Sequence, residues 1–410
     1  MTDDEISALD RSDPLGPRAA LFHVPDGVIY LDGNSLGALP RAVAARVGDV
    51  VTKQWGEQLI RAWNDSAWID LPARVGDRIA RLIGAPPGSV VAADSTSINV
   101  MKALCAALAL RPGRHVILSD TGNFPTDLYV AQGLAALPGR GCELRTVAPE
   151  DVHAAIDDGV AVTMLTEVDY RTGRKHDMAA LTARAHAVGA LALWDLAHSA
   201  GAFRVDLTDV KVDFAVGCGY KYLNGGPGAP AFIYVRTDHI GAFSPAHAGW
   251  MGHDAPFAFE HDYRPAAGVA RMTVGTPAVL GLAALDAALD VWDGVDIADV
   301  ECKSAALGDL FIAEVEARCA RYSLQLASPR DARERGSQVS FRCTDGYAVM
   351  QALIAANVIG DFRAPDIIRF GFTPLYTSYR NVADAARALE RVLRDGLWKN
   401  PAYQVRSKVT

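Results

Sequence analysis

The 410-residue chain is half hydrophobic (50%) and 21% charged, which excludes a disordered or fibrous polymer and leaves room for a sizeable core. Its 40 Lys and Arg stand against 48 Asp and Glu for a net charge of −8, and with no basic tract it is poorly equipped to hold nucleic acid or an anionic membrane. The acidic start Met1-Thr2-Asp3-Asp4-Glu5 cannot serve as the basic head of a secretory signal, and no apolar run approaches the roughly 18–20 residues of a membrane span. Six cysteines without C-x-x-C spacing point to reduced thiols, with neither a zinc site nor a disulfide framework. A cytoplasmic enzyme without a metal is the expectation.

The N-terminal stretch, polar and broken by Pro14, Pro17 and Pro25, predicts an irregular arm. From Arg41 to Trp63, just after Pro40, apolar residues recur at helical spacing. The centre then alternates. Val90 to Ala93, His115 to Leu118, Val160 to Glu167, Leu191 to Trp194, Phe214 to Val216 and Ala231 to Val235 predict buried strands. Helical segments such as Ser97 to Leu110 and Met178 to Val188 lie between them. Such alternation predicts right-handed crossovers and a mostly parallel sheet covered on both faces. Past Pro277 the pattern changes: helices from Pro277 to Val291 and Ile297 to Arg321, a strand from Ser337 to Cys343, a helix from Tyr347 to Ala356, a strand from Ile367 to Phe370, and a last helix toward Leu397. The expected organisation is an arm and helix over 1–64 joining a small domain, a large α/β domain over 65–290, and a small C-terminal α+β domain over 291–410.

Chemistry concentrates between 191 and 235. A buried strand ends in Trp194-Asp195, and His198 follows three residues on. Ligands of open α/β sheets sit at the carboxyl ends of strands, so Asp195 is placed to enter a site. Further along comes Gly219-Tyr220-Lys221-Tyr222-Leu223-Asn224-Gly225-Gly226-Pro227-Gly228. Alone, Lys221 would be a surface lysine in a turn; together with Asp195 and His198 it suits pyridoxal phosphate. An amine links to an aldehyde only when deprotonated, and the pyridine is an electron sink only while a carboxylate keeps its nitrogen protonated. Asp195 is the candidate for that carboxylate, and His198 for a hydrogen bond to Asp195 or to the ring oxygen. Asp94-Ser95-Thr96-Ser97 before a helix offers hydroxyls and free N–H groups for the phosphate. In Asn123-Phe124-Pro125-Thr126-Asp127, Phe124 is a candidate to stack on the ring and Asp127 a polar ligand.

The Asp-x-x-His and Tyr-Lys-x-x-x-Gly-Gly-Pro-Gly pair resembles the class V branch of fold-type-I pyridoxal-phosphate enzymes. The wider set resembles the kynureninase family in its bacterial form. It comprises Tyr30-Leu31-Asp32-Gly33-Asn34-Ser35-Leu36-Gly37, Asn123 to Asp127, Trp194 to Gly201, Gly219 to Gly228, Gly249-Trp250-Met251-Gly252-His253 and Ile368-Arg369-Phe370-Gly371-Phe372-Thr373-Pro374-Leu375-Tyr376. The blocks follow the family's order and show no departure at a functional position.

The resemblance implies a fold-type-I large domain with a smaller α+β domain, and a homodimer with a shared active site. Lys221 would carry the cofactor and Asp195 would pair with its ring nitrogen. Thr96, Ser97, Tyr220, Trp250 and Thr276 would line the phosphate and cofactor, the last two from the partner subunit. Phe124 would stack on the ring, and Asp127, Thr166 and His198 would complete its surroundings. Arg369 would fork onto the substrate carboxylate, while Asn34, Ser35 and Trp63 would shape an aromatic pocket. The implied reaction splits L-kynurenine with water into anthranilate and L-alanine, in tryptophan catabolism, with Lys221 as general base and Tyr220 as the acid that protonates Cβ. The residues do not fix the preference between kynurenine and 3-hydroxykynurenine. Two other readings share part of this frame: a cysteine desulfurase or selenocysteine lyase, for which Cys343 is the one cysteine in the expected region, and a non-catalytic carrier of the cofactor. The latter has no need of Arg369 or the Tyr30–Gly37 segment, and both are present.

Overall fold

The polar N-terminal stretch is not wholly irregular. It begins with helix α1 (Asp3–Ser12), whose Thr2 hydroxyl and Glu5 side chain cap it reciprocally. The computed structural model describes residues 1–139 and 141–406. The segment predicted as one helix from Arg41 to Trp63 starts as α2 (Arg41–Asp49) but continues as a π-helical turn over Val50–Gln58. It breaks at Leu59 (φ 56°) before a short helical stretch, Ala62–Asp65.

Seven strands form the main sheet: β1 (Val90–Ala92), β2 (Val116–Asp120), β3 (Glu143–Val147), β4 (Val160–Thr166), β5 (Leu191–Asp195), β6 (Phe214–Gly217) and β7 (Phe232–Val235). Their order is β1-β7-β6-β5-β4-β2-β3. From β6 to β3 neighbours run parallel, and β7 is antiparallel to both β6 and β1. Burial on both faces explains the apolar runs. Leu191 and Leu193 point into a layer with Val100 and Leu104 of α4 (Thr96–Leu110) and Leu134 of α5 (Pro125–Ala135). The alternate residues Ala192 and Trp194 point the other way. There they meet Val75 and Ile79 of α3 (Leu71–Leu82), Leu181 of α6 (Met178–Ala187) and Leu282 of α7 (Val279–Ala288).

A second sheet is antiparallel, in the order β8 (Gln325–Leu326), β9 (Gln338–Arg342), β11 (Ile367–Gly371), β10 (Asp361–Arg363). Its own core joins Phe311 and Val315 of α8 (Ile297–Cys319), Met350 and Leu353 of α9 (Gly346–Ala355) and Leu389 of α10 (Tyr379–Arg394). The N-terminal segment is tied to this sheet. Ile29–Tyr30 pairs in parallel with Val358–Ile359, Asp32 bridges to Gly371, and Arg380 of α10 ion-pairs with Asp3 of α1. Residues 31–37 are thereby carried from the small sheet toward the ends of β4 and β5. Among the described residues no helix is long and apolar enough to cross a membrane.

Candidate active site

A cavity of about 320 Å³ opens at the carboxyl ends of β1, β4 and β5, where the reversal of strand order leaves a crevice. Thr96, Ser97, Phe124, Asp127, Thr166, Asp195, His198, Tyr220 and Lys221 all line it. The sheet accounts for this convergence. Thr166 ends β4 and Asp195 ends β5, paired in register, while the Lys221 loop follows β6.

Asp195 is almost fully buried, and its Oδ1 accepts a hydrogen bond from the Ala197 N–H at 2.8 Å. Burial raises its pKa against the opposing pull of Lys221. Asp127 is raised well above the usual carboxylate range, first by burial and then by Asp195. These two carboxylates answer to a single nearby amine, so the pocket is short of positive charge. The Lys221 ammonium nitrogen lies 5.9 Å from the Phe124 ring centre and 5.8 Å from that of Tyr220. Burial holds the Tyr220 phenol above its ordinary pKa, reinforced by Cys218 and Asp195, so it stays protonated at neutral pH.

Of the two partners expected for His198, Asp195 is not the one it meets. Among the described residues it makes no hydrogen bond to Asp195; it meets the backbone of Asn34, and its Nδ1 has no partner. Burial first, then Lys221, Arg369 and Arg363, hold its pKa well below the usual value. It is therefore a neutral imidazole with an open ring nitrogen.

The anion end is built on α4. Ser95 caps the helix, accepting from the Ile98 N–H at 3.4 Å, so the next hydroxyls and N–H groups are offered to the cavity. Before the cap, Asp94 adopts a left-handed φ of 51° and ion-pairs with the buried Lys102. Lys102 also donates to the Met272 carbonyl at 2.6 Å. This strained turn is thus pinned from beneath the helix.

The opposite wall is braced by Asn123, whose Oδ1 accepts from the Thr166 hydroxyl at 2.5 Å and from the Phe124 N–H at 2.7 Å. Gly37 packs directly on the lysine loop. Its N–H donates to the Tyr220 carbonyl at 2.8 Å, and a Cβ there would lie 2.2 Å from the Lys221 carbonyl oxygen.

The other expected residues lie outside the cavity wall. Arg369, 1% exposed, stands behind Tyr170 and donates to its carbonyl, while Tyr170 itself lines the cavity. Ser35 and Asn34 lie on the same side: the Ser35 hydroxyl accepts from Arg369 at 2.9 Å, and Asn34 donates to Gln338 at 3.2 Å. Trp63 packs edge-on against Trp68. Trp250, 40% exposed, meets Phe257 edge-on, and Thr276 lines a neighbouring cavity that shares Asp94 and Gly228 with the first. Cys343 is buried elsewhere, its thiol pushed up to about 11 by burial, which does not suit a mobile nucleophile.

Tyr170 and Cys218 also stand in the wall and were not among the expected residues. Tyr170 carried a usable signal, since it follows the end of β4 as His198 follows β5. Cys218 carried none, because a buried cysteine after a strand is ordinary core.

Pyridoxal phosphate fits what is present. The unpartnered Asp127 Oδ2 and His198 Nδ1 await polar ring substituents, the buried Asp195 calls for a cation, Phe124 offers an apolar face, and the start of α4 suits a phosphate.

Comparison with known proteins agrees. A family model described as the kynureninase C-terminal domain matches residues 300–389. Proteins named kynureninase from Burkholderia pseudomallei (strain 1106a) and Pseudomonas fluorescens are each 51% identical over 414 aligned residues, covering 100% of both chains. Among solved structures, the cysteine desulfurase CsdA from Escherichia coli superposes with a TM-score of 0.74 at 21% identity, covering 93% of this chain and 98% of its own. A C-DES mutant with glycine covalently linked to its PLP cofactor gives 0.73 at 18%, covering 89% and 97%. At such identities these structures speak for the fold alone.

Proposed function

The chain belongs to the kynureninase family, and from that premise we propose that the cavity around Lys221 is its active site. The reaction is the hydrolysis of L-kynurenine at its Cβ–Cγ bond to anthranilate and L-alanine, with pyridoxal phosphate as cofactor. The observation that carries the site assignment is the convergence of Lys221, Asp195, His198, Phe124, Asp127 and the start of α4 on one cavity.

When bound, the cofactor supplies an electron sink for bonds broken at the amino acid's Cα and Cβ. Lys221 would hold it covalently and would serve as the base for the substrate's Cα proton. Asp195 keeps the ring nitrogen protonated, which its buried position favours only with a cation beside it. The Ser95 to Ser97 hydroxyls and backbone N–H groups hold the phosphate, Phe124 covers one ring face, and Asp127, Thr166 and His198 meet the polar edge. As water adds to the side-chain carbonyl and the bond to Cβ breaks, Tyr220 delivers a proton to Cβ. A phenol kept neutral by burial suits that role. Arg369 takes the substrate carboxylate in a planar fork, while Asn34, Ser35 and Trp63 shape the aromatic pocket. Trp250 and Thr276 are contributed by a second copy of the chain, making the enzyme a homodimer in the cytoplasm.

The test is direct. Purified protein supplied with cofactor and L-kynurenine should release anthranilate, seen by its fluorescence, in step with L-alanine. Cofactor binding without either product would refute the site assignment. Assaying 3-hydroxykynurenine beside it decides the substrate preference.

A further inference from the structure

Arg369 is held in an arrangement that assigns a role to a residue outside the cavity. In the small sheet Arg369 on β11 stands directly opposite Asp361 on β10, so strand register alone brings the two side chains together. Both are buried to 1% exposure. The Arg369 Nε donates to Asp361 Oδ1 at 2.8 Å, and Nη2 donates to Asp361 Oδ2. That fork occupies the Nε side of the guanidinium with a full negative charge.

The rest of the guanidinium meets only neutral acceptors. Nη2 also donates to the Ser35 hydroxyl at 2.9 Å, and Nη1 donates to the carbonyl of the cavity-lining Tyr170. Asp361 is itself tethered twice more, accepting from the Ser35 hydroxyl at 2.7 Å and pairing with Arg363 at 2.7 Å. An incoming carboxylate competes poorly with a doubly tethered carboxylate but readily with a hydroxyl and a carbonyl, because charge-assisted bonds are the stronger ones.

We propose that Asp361 is a positioning residue for substrate recognition: it locks the Nε side of Arg369 so that the Nη1 side, beside Tyr170, is the one a substrate carboxylate engages. This rests on Arg369 being the carboxylate-binding residue, as proposed above, and deepens that reading. The arrangement also accounts for a buried arginine lying beside a second carboxylate, Asp32. The Oδ1 of Asp32 has no partner, and Asp32 bridges the N-terminal segment to β11 at Gly371. Burial first and then Asp361 push Asp32 up to about 7, so the charge that keeps Arg369 in place before substrate arrives is that of Asp361.

The experiment uses the holoenzyme and three ligands: L-kynurenine, the product L-alanine, and the amine analogue of kynurenine that lacks the carboxylate. In Asp361→Asn the KM for L-kynurenine and the Kd for L-alanine should rise about 10- to 100-fold, with kcat falling far less. Inhibition by the carboxylate-free amine should change less than about twofold. Arg369→Lys is the control for the underlying reading and should weaken L-alanine as well. If Arg369→Lys leaves L-alanine binding intact, the assignment of Arg369 fails. If Arg369→Lys weakens it but Asp361→Asn does not, the role of Asp361 fails. Equal weakening of the amine and the amino acids in Asp361→Asn would show a general structural defect and overturn the proposal too. Should Asp361→Asn not yield folded holoenzyme, Asp361→Glu is measured by the same ratio of L-alanine to amine affinity, and an unchanged ratio overturns the proposal.

Discussion

Asp195 ends a buried strand where burial favours its neutral form, and Lys221 and the Ala197 N–H oppose that tendency. A bound pyridinium reverses the balance, which makes this carboxylate a partner for the cofactor rather than for the fold. Asp195→Asn should therefore retain the cofactor's visible absorbance but lose at least about 100-fold in kcat; near-parental turnover would contradict the role. Tyr220 is held protonated by burial and by Cys218 and Asp195. Replacing it in Tyr220→Phe should lower kcat by about 10²–10⁴-fold with little change in KM, measured by anthranilate release, and full turnover would remove it from the mechanism. These residues were legible because each follows a buried strand or sits among glycines. His198 was legible as a site residue but not in its contacts, since its meeting with the Asn34 backbone depends on how the N-terminal segment docks.

At the scale of elements, the Tyr30–Gly37 segment does two things at once: it bridges to the small sheet from Asp32 to Gly371 and lies on the Lys221 loop. Gly37 leaves no room for a side chain against the Lys221 carbonyl. Gly37→Ala should cost about 1–3 kcal/mol in thermal denaturation and weaken cofactor binding in titration; a variant with parental stability and affinity would contradict this packing. The strands were the most readable elements because burial on both faces writes itself as apolar runs. The exceptions are β3, an edge strand whose residues are partly exposed, and β8 and β10, which at two and three residues are too short to carry such a run. Helix α1 was hidden by the surrounding prolines, although its Thr2/Glu5 capping box was there to be found. Helix α3, with Leu71, Val75, Ile79 and Leu82 on its buried side, has the right period to be readable. The break after α2 was unreadable, because the apolar spacing continues through Leu59, where the backbone turns left-handed.

For the molecule as a whole, the chain's own fold leaves Trp250 and Thr276 outside the cavity that they are expected to complete. Sedimentation should accordingly give twice the 43.7 kDa chain mass, and a monomer with full activity would contradict a shared site. Stability should also carry a pH signature from Glu167, 5% exposed at the end of β4 and pushed up to about 7 by burial. Its ordinary value is 4.5, so the folded chain holds this proton more tightly than the unfolded one. That contribution is present at acidic pH and is lost as pH rises through about 7, on the order of 3 kcal/mol in all. Glu167→Gln should raise the melting temperature at pH 8 far more than at pH 5; an equal shift at both would contradict the assignment. The most direct test of the central claim is borohydride reduction of the holoenzyme followed by peptide mapping. A single reduced cofactor adduct on Lys221 is expected, and a label on any other residue, or a protein that takes up no cofactor, would contradict the covalent role of Lys221.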